Sequence, residues 1–341
     1  MHGGNIYEVS RETSIPVKKI LDFSSNMNDF INIKSYFIKS KDIKNYPESK
    51  LDAYNKIISN GEFNGENIMI VPGLTYIIHK FILSLSGNIV IVSPSFTEYL
   101  NAPFTGNRII MPYNVLESNP EILLYYNYSA IFIVYPDNPT GNMLPLKSLI
   151  NILRISDEKN AYVFLDESFI YFVNKRELHE SEIIKKYNNI IIGRSLTKFF
   201  SIPGLRIGYI ASNMENIIYL NKNAEPWRMP QFSLEYIKDL DYGSMLNIPE
   251  AVSKEREYMV GELEKLNFKL MGKPKANFIT FRIPFDGRIL KHFLEKNGIM
   301  IRTLEDYGTF GENCIRISIK QHNKNIILIK NIKNFMGVKH E

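Results

Sequence analysis

Arg194-Ser195-Leu196-Thr197-Lys198-Phe199-Phe200-Ser201-Ile202-Pro203-Gly204-Leu205-Arg206-Ile207-Gly208 follows an apolar run at 190–192 and gathers hydroxyls, a lysine and Arg206 around a proline and two glycines. A lone lysine in a loop is ordinarily a solvated surface charge. Lys198, however, stands among Leu196, Phe199, Phe200 and Ile202, which partly desolvate an ammonium. Desolvation and nearby cations lower a lysine's pKa, the condition that an imine-forming lysine needs. Ser195, Thr197 and Arg206 add hydroxyl and guanidinium donors suited to a phosphate dianion, the arginine through a bidentate fork. The stretch reads as a reactive lysine beside a phosphate site.

Outward from this stretch, short apolar, β-branched runs bounded by turn residues recur at 67–71, 88–92, 108–111, 130–135, 162–165, 190–192 and 207–210. Helix-period segments such as 74–85 and 146–158 lie between several of them. The alternation predicts an α/β chain whose largely parallel sheet is flanked by helices. After about residue 213 longer amphipathic stretches, 215–221, 233–240 and 248–266, precede strand-like segments at 278–283, 299–302 and 314–319. That change predicts a second, smaller α+β domain. The division expected is a large domain at 39–235 and a small one built from 1–38 and 236–341.

The 341 residues are 45% hydrophobic and 23% charged, values of an ordinary globular chain that leave no room for a long disordered region. A formal charge of +5, with no run of Lys or Arg to concentrate it, speaks against a nucleic-acid partner. The single cysteine, Cys314, excludes an internal disulfide and a cysteine-based metal cage, so no metal is expected. A reducing, cytoplasmic location is the expectation. The first residues show no charged segment followed by an apolar core, and the longest apolar runs are strand-length, so no membrane partner is expected either.

Two further segments carry chemistry. Tyr135-Pro136-Asp137-Asn138-Pro139-Thr140-Gly141 closes an apolar strand with a strong turn signal. Val163-Phe164-Leu165-Asp166-Glu167 ends a buried strand in a carboxylate, at the edge where open α/β sheets bind ligands. A carboxylate there is often only a helix cap. The order Asn138, Asp166, Lys198, Arg206, with gaps of 28, 32 and 8 residues by subtraction, is more specific than any one of them.

These motifs, in this order and over nearly the whole chain, resemble the fold-type I pyridoxal-5'-phosphate enzymes with the aspartate-aminotransferase-like fold. The resemblance is to the branch of histidinol-phosphate aminotransferases and threonine-phosphate decarboxylases. It implies that Lys198 forms the imine with the cofactor, and that Ser195, Thr197 and Arg206 hold its phosphate. Asn138 contacts the cofactor O3', and Asp166 keeps the pyridine nitrogen protonated. The turn at Gly73, Leu74 and Thr75 offers backbone N–H groups at a helix start to the phosphate, and Phe96 stacks on the ring. Phe169 stands where the aminotransferases usually carry a tyrosine that donates to O3'. Tyr46, in Asn45-Tyr46-Pro47-Glu48, matches a tyrosine that reaches the neighbouring subunit's cofactor, which implies a homodimer with shared active sites.

For the substrate, the resemblance assigns Arg316 to an α-carboxylate and Arg302 to a phosphate at the far end. His2, Gly4 and Asn5, in His2-Gly3-Gly4-Asn5, approach that phosphate, and Asn138 borders the substrate as well. The N-terminal motif, Phe169, Pro226-Trp227 and the Arg302/Arg316 pair lean toward a threonine-phosphate decarboxylase of cobalamin side-chain synthesis. A histidinol-phosphate aminotransferase of histidine biosynthesis, or another amino-acid aminotransferase, is the alternative. A regulator that only binds the cofactor or a metabolite is the reading from a different class; Lys198 together with Asn138, Asp166 and Arg206 argues against it, as does the lack of an appended DNA-binding module.

Overall fold

The structure is a computed structural model, and it describes residues 3–174, 176–308 and 310–337. Its strands, in chain order, are β1 (Leu21–Asp22), β2 (Ile68–Val71), β3 (Asn88–Ser93), β4 (Asn107–Pro112), β5 (Ala130–Val134), β6 (Tyr162–Asp166) and β7 (Ile190–Ser195). They continue with β8 (Gly208–Ser212), β9 (Lys269–Leu270), β10 (Phe278–Arg282), β11 (Ile299–Met300), β12 (Arg302–Thr303) and β13 (Cys314–Ser318).

Seven of these build the central sheet, in the order β2-β8-β7-β6-β5-β3-β4. Strands β3 to β7 pair in parallel, with β4 beside β3, whereas β8 runs antiparallel to both β7 and β2. Every residue of β2, β5, β7 and β8 is buried. Helices cover both faces, which is why these strands read as continuous apolar runs rather than as alternating ones. Alternation survives in which core each side chain enters. Ile68, Ile70, Val90 and Val92 join one cluster, and Met69, Val71, Ile89 and Ile91 join the cluster on the opposite face. The helix Leu74–Ser84 buries Leu74, Ile77, Ile78, Phe81 and Ile82, a stripe at one-turn spacing. Each such side chain contributes about 1.5–3 kcal/mol through the water it leaves.

The later part of the chain forms an antiparallel sheet, β12-β13-β10-β9, packed with the helices Ile248–Glu264, Gly287–Lys296 and His322–Phe335. The run expected as one strand at 299–302 is two. Residues Ile299 and Met300 pair in parallel with Leu21 and Asp22 near the N-terminus, and after Ile301 the chain joins β13 instead. The N-terminal segment is thereby fastened beside the antiparallel sheet.

Strand directions decide where chemistry can sit. Both β2 and β7 are antiparallel to β8, so β2 runs with the parallel strands. The carboxyl ends of β2, β3, β5, β6 and β7, and the amino end of β8, all emerge on one edge. On that edge follow Gly73, Phe96, Asn138, Asp166, Lys198 and Arg206. The order reverses beside β3, whose neighbours are β4 on one side and β5 on the other, which creates the crevice where doubly wound sheets take ligands. Among the described residues no helix is long and apolar enough to cross a membrane.

Candidate active site

A cavity of about 230 Å³ opens on this edge, bounded by the sheet's carboxyl ends, the N-terminal segment and β12–β13. Of the residues singled out in the sequence, Leu74, Thr75, Phe96, Asn138, Asp166, Phe169, Ser195, Thr197, Lys198, Arg206, Arg302 and Arg316 line it.

Lys198 lies on the single turn Leu196–Phe199 that leaves β7, and its Nζ donates to Ser25 O at 3.0 Å. Burial, followed by the Arg316 guanidinium, pushes the amine down to about 7. Close to neutral pH a substantial share of it, about half, is therefore the unprotonated amine.

Asp166 closes β6 and is buried. Its Oδ2 accepts from Tyr99 Oη at 2.7 Å, and its Oδ1 accepts from Ser168 N at 2.9 Å and Ser168 Oγ at 2.6 Å. All of these donors are neutral. Burial raises the Asp166 pKa, and the three hydrogen bonds only partly offset that.

The Arg206 backbone is left-handed, at φ 51. That bend folds its guanidinium onto the turn after β2, where a Cβ added to Gly73 would lie 2.6 Å from Arg206 Nη2. Gly73 also has φ +81, which only glycine adopts without strain. The helix that starts at Leu74, the hydroxyls of Ser195 and Thr197, and Arg206 thus converge on one end of the cavity. Thr197 Oγ1 is buried there with no hydrogen-bond partner among the described residues.

At the other end, Arg316 donates to Asn138 Oδ1 and, at 2.8 Å, to Ser24 O, and its guanidinium lies 5.4 Å from the centre of the Phe278 ring. Tyr307 Oη reaches Asn138 Oδ1 at 3.4 Å. Asn138 is held by its own turn, since Asp137 accepts from Thr140 N (2.7 Å), Thr140 Oγ1 (2.6 Å) and Gly141 N (3.1 Å). Phe169 packs edge-on against Phe278, and Phe96 lies edge-on to Tyr99.

Some residues are placed elsewhere. Asn5 caps the helix Ile6–Thr13 and bonds to Glu8 rather than facing the cavity. Gly4 borders an adjoining space, and its N–H donates to Ser24 Oγ at 2.8 Å. Its neighbour Gly3 does line the cavity, where a Cβ would overlap the Ser24 carbonyl. His2 lies outside the described residues. Tyr46 is 79% exposed and stacks on Trp227, away from this chain's own cavity.

The structure adds partners that no local pattern marked. Four successive carbonyls accept side-chain donors: Ser24 from Arg316, Ser25 from Lys198, Asn26 from Asn277 Nδ2 at 2.8 Å, and Met27 from Lys320 Nζ at 3.1 Å. This strap ties the N-terminal segment across both sheets. Tyr99, Ser168, Tyr307 and Lys320 were all missed. Only Ser168, two residues after the strand-ending Asp166, had a readable signal, that of a carboxylate turn.

Residues 18–332 match the family described as aminotransferase class I and II. A protein of Caldanaerobacter subterraneus provisionally named threonine-phosphate decarboxylase is 28% identical across 97% of this chain and 93% of its own length. A histidinol-phosphate aminotransferase of Archaeoglobus fulgidus is 26% identical across 93% of this chain and 94% of its own. The crystal structure of the histidinol-phosphate aminotransferase from Clostridium acetobutylicum superposes with a TM-score of 0.84 at 26% identity, covering 93% of this chain and 99% of that one.

Proposed function

The chain belongs to the class I and II aminotransferases, a family of pyridoxal-phosphate enzymes, and from that premise we propose that it decarboxylates a small phosphorylated amino acid of the threonine-phosphate type. The cofactor suits the residues present. A buried hydroxyl without a partner among the described residues, Thr197 Oγ1, and a glycine turn that leaves room for Arg206 suit a phosphate. Asp166, buried among neutral donors, suits a cationic ring nitrogen. Lys198, with its lowered pKa, suits a carbonyl carbon.

When bound, the cofactor supplies an electron sink for the pair left as a bond at the substrate Cα breaks. Everything else falls to the chain. Asp166 holds the proton on the ring nitrogen, Asn138 Nδ2 orients the ring oxygen, and Arg206, Ser195, Thr197 and the backbone after Gly73 anchor the phosphate. Lys198 Nζ would carry protons to and from the reacting carbon.

The observation that carries the substrate reading is the cross-strand pair Arg302 and Arg316, directly opposite in register and both on the cavity wall. Two adjacent guanidiniums suit a ligand with two anionic ends, a carboxylate on Arg316 and a phosphate on Arg302. Histidinol phosphate has only one, so the pair separates the two amine substrates, although the dicarboxylate acceptor 2-oxoglutarate would also engage both arginines. The division of the chain into a large domain at 39–235 and a small one from 1–38 and 236–341 is proposed as well, supported by the central seven-stranded sheet lying wholly within 39–235 and the β1–β11 pair and the four-stranded sheet lying outside it.

The test is a side-by-side assay of carbon dioxide release from threonine phosphate and glutamate formation from 2-oxoglutarate with histidinol phosphate. Arg316→Ala should lower kcat/KM on threonine phosphate by about a hundredfold and affect histidinol phosphate less; Arg302→Ala should lower it on both. Efficient transamination of histidinol phosphate without carbon dioxide release from threonine phosphate would assign the chain to the aminotransferases.

A further inference from the structure

The cavity is unbalanced in charge. Lys198, Arg206, Arg302 and Arg316 line it, and Asp166 is the carboxylate among the lining residues. Arg302 and Arg316 are register partners on antiparallel strands, so their side chains leave the same face of the sheet opposite one another. Like charges so placed repel. The two are relieved differently. Arg316 donates to neutral acceptors, Asn138 Oδ1 and Ser24 O. Arg302 instead pairs through Nη2 with the Asp306 carboxylate. Asp306 sits four residues on, in the single turn Glu305–Tyr307, beside Tyr307, which lines the cavity; its side chain is 31% exposed against 11% for Arg302.

We infer that Asp306 is the resting counter-ion of Arg302 and sets how tightly, and with what preference for charge, the site holds an anion. The inference rests on the proposed role of Arg302 as the ligand of the substrate phosphate. Without substrate, Asp306 offsets the repulsion between the two arginines. An arriving phosphate competes with it for the same guanidinium and is repelled by it, and the repulsion is twice as large for a dianion as for a monoanion at the same place. Asp306 therefore weakens small anions that have no other hold. The substrate is penalised equally but is also fastened by its carboxylate and its amine. The residue thus acts through Arg302 and keeps ambient phosphate from occupying the site.

The experiment uses the cofactor-loaded enzyme, in which the cofactor's own phosphate site is filled, and inorganic phosphate as a competitive inhibitor at constant ionic strength. Asp306→Asn, which keeps the size and removes the charge, should tighten inhibition by phosphate dianion about tenfold and by acetate about threefold. Adding Arg302→Ala should abolish that gain. An increase in affinity is a result that a merely damaged turn does not give, and Asp306→Ala should show the same sign. Unchanged or weaker phosphate inhibition in Asp306→Asn, with Arg302→Ala still weakening it, would overturn the role of Asp306 alone. If Arg302→Ala leaves phosphate inhibition untouched, the assignment of Arg302 falls and this inference falls with it.

Discussion

At the scale of single residues, the site depends on groups held in states they would not keep in water. Lys198 is pushed down to about 7, first by burial and then by Arg316. In cofactor-free protein the folded lysine thus binds fewer protons than the unfolded one from about pH 7 to about pH 10, and stability rises with pH through that window. Urea unfolding should show the rise, and Lys198→Met should lack it. Cofactor uptake should climb about tenfold per pH unit below 7 and level off above. In Arg316→Gln the bend should move to higher pH; an unmoved bend would show that the arginine is not a cause. Lys198→Ala should fold and bind cofactor noncovalently but not turn over, because on the proposed reading the same amine forms the imine and moves the protons. Gly73→Ala meets two obstacles, a left-handed φ and the Arg206 guanidinium 2.6 Å from the new methyl. About 1–2 kcal/mol of strain should weaken cofactor retention roughly tenfold, as read by equilibrium dialysis.

Among the elements, the strand ends are fixed by one buried arginine. Arg194, on β7 and fully buried, pairs with Glu167 at 2.7 Å, Glu62 at 2.5 Å and Glu180 at 3.1 Å, between the rings of Phe63 and Tyr171. It joins β6, β7, the loop before β2 and the helix Glu180–Lys186. Burial drives Glu167 well above its ordinary value against the pull of Arg194. Arg194→Met should cost about 3–5 kcal/mol in urea unfolding at neutral pH, because it strands buried carboxylates. The deficit should shrink as pH falls, since a carboxyl raised in the fold is relieved by protonation; a deficit independent of pH would mean that lost packing, not charge, is the cause. The elements themselves were largely legible in the sequence. The seven apolar runs from 67–71 to 207–210 all became strands of the central sheet: the inner strands are covered on both faces and so are apolar over most of their length, whereas β4, at the sheet's edge and partly exposed, was legible from Ile109 and Ile110. The break at Ile301 and the strap at Ser24–Met27 were not legible. A backbone carbonyl accepts whatever its side chain is, so nothing in Ser24 or Met27 announces a bond to Arg316 or Lys320. The acidic partner Asp166 could be read from its place at a strand end, but Tyr99, which comes from 67 residues away, could not.

For the whole molecule, the surface suggests that one chain is not the working unit. Ile33, Phe37, Ile38, Ile43 and Tyr46 are 57%, 83%, 54%, 75% and 79% exposed, all within one N-terminal stretch. Exposed apolar side chains concentrated along one stretch of chain suit an interaction surface. A second copy of the chain is the proposed cover, with Tyr46 reaching the cofactor phosphate of its neighbour, since in its own subunit the ring stacks on Trp227 outside the cavity. A closed two-fold dimer uses the same patch on both subunits. Sedimentation should find a dimer, and Phe37→Glu with Ile43→Glu should yield monomers that have lost activity. Mixing tests the sharing of sites more sharply. Lys198→Ala has no amine and a Tyr46→Ala subunit has no donor to lend, so each homodimer is crippled. Random reassortment makes half of the dimers hybrid, and in each hybrid one of the two sites has both native residues. Activity should therefore recover to roughly a quarter of wild type. Recovery absent despite demonstrated subunit exchange would place Tyr46 outside the neighbour's site, and an active monomer would remove the dimer from the mechanism altogether.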